Sequence, residues 1–75
     1  MIEKLVSLNT VEKVKRFSDV VSNFPYEITL TGGEYTVDAK SIMSIFTLDL
    51  EKPLRMTAHC DTDSSMLSDI SEFVI

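Results

Sequence analysis

Apolar and polar positions alternate with two different periods along this chain, and each change of period marks the start of a new element. In "IEKLVSL", Ile2, Val6 and Leu8 share one parity with Lys4 interrupting, which predicts a strand. "NTVEKVKRFSDVVSNF" then sets Val14, Phe17, Val21 and Phe24 at i, i+3, i+7 and i+10, a single apolar stripe on a helix. Asn9 or Thr10 can cap its first amides, and Asn9 with Glu12 has the spacing of a capping box. Pro25 is expected to stop that helix, because it disfavours the α conformation in the residue before it.

Period two returns in "YEITLTGGEYTVDA". Tyr26, Ile28 and Leu30 alternate with Glu27, Thr29 and Thr31, and Tyr35, Val37 and Ala39 resume the pattern after Gly32-Gly33. A β-hairpin with a two-residue glycine loop is expected. "SIMSIFTL" reads as a short helix with Ser41 at its N-cap; Ile42, Ile45 and Phe46 share a side and face the sheet, and Met43 points outward beside Thr47. "PLRMTAHC" puts Leu54, Met56, Ala58 and Cys60 on one face and Arg55, Thr57 and His59 on the other. In "DTDSSMLSDISEFVI", Asp61, Thr62 and Asp63 are cap candidates, and Met66, Leu67, Ile70, Phe73 and Val74 fall on one helical face.

The expected order is therefore β-α-β-β-α-β-α over a single domain, residues 1–75. Three amphipathic helices and four alternating strands suit an α+β fold in two layers: a four-stranded antiparallel sheet covered on one face by helices. Each β-α-β crossover must skip a strand, the split arrangement.

Composition narrows the functions. A net charge of −5, with −1 on residues 1–40 and −4 on residues 41–75, argues against binding a nucleic-acid backbone. The one basic cluster, Lys13, Lys15 and Arg16, lies beside Glu12 and Asp19 and reads as a solvated helix face. A single cysteine, Cys60, allows no internal disulfide and no thiolate metal cluster. No apolar run nears the roughly 20 residues of a membrane span. Glu3 and Lys4 occupy the place where a secretory signal needs its apolar segment, so a cytoplasmic protein without membrane contact is expected. One histidine, His59, cannot assemble a nucleophilic triad, no glycine-rich phosphate loop is present, and His59 with Asp61 and Asp63 falls short of a zinc ligand set. Neither an enzyme nor a cofactor is expected.

The segment "VDAKSIMSIFTLDL" resembles the regulatory-serine region of HPr, the histidine-containing phosphocarrier of the bacterial sugar phosphotransferase system. Lys40, Ser41, Ile42, Met43, Ser44, Ile45, Phe46, Thr47 and Leu48 fill that pattern, with Ser44 where glycine is usual. From Thr10 through Cys60 the two patterns run together without a gap, and the last helix needs only a small deletion. The resemblance implies HPr's open-faced β-sandwich. It also implies that Ser41 is a candidate site for regulatory phosphorylation by an HPr kinase, with Ile42, Met43 and Thr47 as candidate contacts for a partner such as a transcriptional regulator. A plain capping role for Ser41, and a core role for the apolar residues after it, are the alternatives that the residues themselves leave open.

The resemblance fails where HPr does its chemistry. The family's Gly-x-His-x-Arg-Pro pattern corresponds here to Leu8, Asn9, Thr10, Val11, Glu12 and Lys13. Thr10 replaces the histidine, Glu12 the arginine and Lys13 the proline. A phosphoramidate holds its phosphoryl group at high transfer potential, whereas a threonine ester does not, and Glu12 would repel the phosphate that an arginine neutralises. A regulatory or protein-binding relative without the relay is therefore expected. A phosphocarrier with a displaced site, or an HPr fold reused for unrelated binding, are the alternatives.

Overall fold

A computed structural model describes all residues, 1–75. Strand β1 (Ile2–Val6) leads through Ser7–Thr10 into helix α1 (Val11–Val21). The hairpin of β2 (Ile28–Gly32) and β3 (Tyr35–Asp38) follows, then a single helical turn α2 (Ile42–Ile45), strand β4 (Leu54–Ala58), helix α3 (Ser64–Asp69) and a 3₁₀ turn, Ser71–Phe73. The sheet is antiparallel throughout, in the order β1-β4-β2-β3. Both crossovers skip a strand: β4 lies between β1 and β2, and β2 lies between β3 and β4.

Register follows the alternation of the sequence. Ile2, Ala58 and Ile28 line up across three strands, as do Lys4, Met56, Leu30 and Val37 across four. These rows face the helices. Val6, Leu8, Val14, Phe17, Val21, Ile28, Leu30, Ile45, Leu54, Met56, Ala58, Met66 and Ile70 are all fully buried between the two layers. Phe17 of α1 meets Phe73 edge to face, centroids 5.3 Å apart and planes at 88°, so the C-terminal turn is clamped onto the first helix. The opposite sheet face carries Glu3, Thr57 and Thr29 in one row and Leu5, Arg55, Thr31 and Thr36 in the next, open to water.

Four local expectations are corrected. Helix α1 ends at Val21, four residues before Pro25; the chain continues in tighter turns, with Asn23 N–H donating to Val20 O and Phe24 N–H to Val21 O. Proline forbids extension but does not choose the last helical residue. The hairpin loop is Gly33-Glu34, not Gly32-Gly33, since Gly32 pairs with Tyr35. Only Gly33 has positive φ, at 61°, the pattern of a turn with glycine at its first central position. Gly32 is needed for a different reason: a Cβ there would stand 2.8 Å from Leu54 Cδ2. The final helix is broken, with Met66 and Ile70 buried from α3 and Phe73 from the 3₁₀ turn, while Val74 leaves the helical path to bridge Val6. Finally, Tyr35 has inward parity but is 69% exposed, because it sits at the hairpin tip beyond the helices.

Candidate functional site

Two short segments matter: the turn into α1, and the turn into α2. Thr10 is the N-cap of α1, with extended backbone (φ −137°, ψ 155°) that turns its side chain back over the first turn. Its Oγ1 accepts a hydrogen bond from Lys13 N–H at 3.1 Å. Thr10 is thus the cap, and the Asn9–Glu12 capping box does not form; Asn9 Oδ1 accepts instead from Lys13 Nζ at 3.1 Å. Glu12 lies in the first turn, where the helix dipole favours a negative charge. Arg16 is engaged further along the helix, 3.5 Å from Glu72 and 6.0 Å over the Phe73 ring. The Thr10 hydroxyl and the Lys13 ammonium are both engaged on their own helix end.

His59 is nowhere near this turn. It follows the last residue of β4, where its N–H extends the ladder to Glu27 O at 2.8 Å. Ala58 pairs with Ile2, whereas the chain enters α1 after Val6, which pairs with Leu54. His59 and Thr10 therefore lie toward opposite ends of the sheet. The imidazole Nε2 is 3.4 Å from Glu27 Oε1. No group of three His, Cys, Asp or Glu side chains is arranged to hold a metal ion.

Ser41 holds the N-cap position of α2, at φ −101° and ψ 100°, but it makes no capping bond. Its hydroxyl donates instead to Ser44 Oγ at 3.0 Å. Its carbonyl accepts from Ile45 N–H at 3.1 Å, the first bond of the turn. Among the residues beside it, Met43 is 76% exposed and Phe46 41% exposed, whereas Ile45 is fully buried and Ile42 is half-buried against the core. Phe46 therefore departs from the inward side assigned to it. A helix of one turn ends at Ile45, so Phe46 is its C-cap and is not held over the sheet. Thr47 is exposed, and its hydroxyl donates to Ser44 O at 2.6 Å. Of the three contact candidates, Met43 and Thr47 face solvent and Ile42 belongs largely to the core.

Lys40 holds this segment in place. Its ammonium donates to the carbonyls of Phe24 and of Tyr26, the latter at 2.8 Å, and its own N–H donates to Asp38 Oδ1 at 2.9 Å. From α1, the hydroxyl of Ser18 reaches Lys40 O at 3.4 Å. Sequence reading assigned neither residue a role. Ser18 carried a usable signal, a polar residue inside the stripe of Val14, Phe17 and Val21; it is 6% exposed. Lys40 carried none, because its partners lie 14 and 16 residues away.

A third cluster ties the sheet to α3. Asp63 caps that helix, accepting from Met66 N–H at 3.1 Å, and Tyr26 Oη donates to its other oxygen at 2.9 Å. The bond from the Met66 amide, followed by the one from Tyr26, lowers the pKa of Asp63. Burial, followed by the hydrogen bond to Asp63, raises that of the Tyr26 phenol.

With this geometry in view, the comparison with known families is decisive. The family described as the PTS HPr component phosphorylation site matches residues 12–74. This chain belongs to the HPr family. The matched stretch includes Ser41 and begins two residues after Thr10. Solved HPr structures share the fold. HPr-C-His from Thermoanaerobacter tengcongensis superposes with a TM-score of 0.80 at 20% identity, covering 99% of this chain and 91% of that one. Phosphocarrier protein HPr from Bacillus anthracis str. Ames gives 0.72 at 20% identity over 99% and 96%. The histidine-containing phosphocarrier protein of Mycoplasma gives 0.72 at 14% identity over 95% and 86%. No curated protein matches the chain in sequence. HPr proteins are phosphocarriers of the phosphotransferase system, and the open-faced sandwich is their architecture. No helix here is long and apolar enough to cross a membrane.

Proposed function

We propose that this HPr-family chain is a cytoplasmic regulatory protein that binds its partners through Ser41 and the turn after it, and that it carries no phosphoryl relay. The observation that carries this reading is the contrast between two hydroxyls. Thr10, at the relay position, uses its oxygen to cap α1 and has Glu12 two residues on. Ser41 donates only to another hydroxyl, and the Met43 and Phe46 side chains stand exposed beside it. A phosphate ester at Ser41 suits a stable regulatory mark, because it lacks the transfer potential of a phosphorylated imidazole. It would also set a doubly charged group beside a flexible methionine, and that combination suits a partner surface with basic and apolar parts.

The partners this reading calls for are an HPr kinase and a regulator that recognises the phosphoserine. The test is incubation with such a kinase and ATP, followed by intact-mass measurement. One phosphate is expected, stable in acid, and lost with Ser41→Ala. An unmodified chain removes the regulatory reading. The displaced-carrier reading gains no support from the surroundings of His59, whose imidazole lies 3.4 Å from the carboxylate of Glu27.

A further inference from the structure

Ser44 is half-buried on α2, and its Oγ accepts the 3.0 Å bond from the Ser41 hydroxyl. The Ser44 hydroxyl proton is given to no other group of the protein; Thr47 binds its carbonyl, not its side chain. While both residues are free hydroxyls, the geometry has Ser41 donating and Ser44 accepting.

Phosphorylation reverses that polarity. An ester at Ser41 has no Oγ proton left to give and carries several strong acceptor oxygens. The contact persists only if Ser44 becomes the donor, and its uncommitted proton allows that without any change of backbone. A hydrogen bond to an ionised acceptor is about twice as strong as one between neutral groups. Lys40 is the adjacent cation, but its ammonium already serves the carbonyls of Phe24 and Tyr26, and moving it would strand both.

We infer that Ser44 is a positioning residue for Ser41: it fixes the rotamer of the free hydroxyl and becomes the side-chain donor to a phosphate carried there. The inference rests on the reading that Ser41 is phosphorylated, yet its test needs no kinase. Phosphoserine is placed at position 41 during translation, and thermal midpoints are measured for Ser41 and phosphoserine chains, each with Ser44 and with Ser44→Ala. Comparing the two phosphorylation shifts cancels any purely structural effect of the alanine. The shift is expected to be less favourable by about 4 °C in the alanine background, the effect of one good bond in a domain of this size. Ser44→Thr, which keeps the hydroxyl, is expected to behave as the parent. Equal shifts in the two backgrounds, or a threonine variant that behaves like alanine, overturn the inference. A kinase that leaves Ser41 unmodified would refute the proposed function while this comparison still decides the role of Ser44.

Discussion

Thr10 and Ser41 stand ahead of the two helices that matter most, and they use their oxygens differently. Thr10 makes a side-chain cap to Lys13 N–H; Ser41 makes none. Replacing Thr10 by alanine is therefore expected to cost about 1 kcal/mol, within the usual span for a lost cap. In a domain of this size that lowers the melting temperature by roughly 4–8 °C. Ser41→Ala removes only a half-exposed hydroxyl pair and is expected to change the midpoint by less than half as much. Thermal melts by circular dichroism read both, and equal losses would contradict the assignment of caps. Both hydroxyls were legible in the sequence as cap positions. Which of them bonds an amide was not, because that choice depends on rotamer: Ser44, three residues on, offers Ser41 another partner. The side chains at Thr10, Glu12 and Lys13, a hydroxyl, an acid and an amine, were legible without any structure, since residue type alone gives them.

At the scale of elements, strands proved easier to read than helix ends. Alternation needs only two faces, and every inward residue of β2 and β4 is where period two puts it, from Ile28 and Leu30 to Leu54, Met56 and Ala58. Helix termini depend on contacts from elsewhere, so the break between α3 and the 3₁₀ turn follows from Phe73 docking on Phe17 and Val74 bridging Val6. The two glycines of the hairpin separate the same way. Gly32→Ala is expected to cost about 1–3 kcal/mol by crowding buried Leu54, and to shift the Leu54 methyl resonances. Gly33→Ala meets nothing within 4 Å, so its cost of about 1 kcal/mol comes from positive φ alone and the Leu54 methyls stay put. Lys40 ties the connection between α1 and β2 to the segment before α2, and Lys40→Met leaves the Phe24 and Tyr26 carbonyls without their donor. A loss of about 2 kcal/mol is expected in urea unfolding, since a partly buried polar group left unpaired costs about 1–3 kcal/mol.

The Tyr26–Asp63 link gives the whole molecule a pH signature. Asp63 is held below its ordinary value of 3.8, so the stability it contributes is present above that pH and is lost as pH falls through the lower folded value. Tyr26 is held above its ordinary value of 10.0, so its contribution is present below pH 10.0 and is lost as the solution becomes more alkaline than that. Tyr26→Phe is expected to flatten the alkaline limb of the stability curve and to weaken the acid limb, as read by denaturant midpoints across pH. An alkaline limb unchanged by the substitution would show that the phenol is not the titrating group.

On the same scale, an HPr sandwich is built around a first-helix turn that holds a threonine cap, Thr10, and an acid, Glu12. The most direct test is phosphoenolpyruvate-dependent labelling by the general phosphotransferase enzyme, read as acid-labile phosphate on this chain. No label above background is expected. Stoichiometric acid-labile phosphate, on His59 or elsewhere, would contradict the account and return the protein to the phosphocarriers.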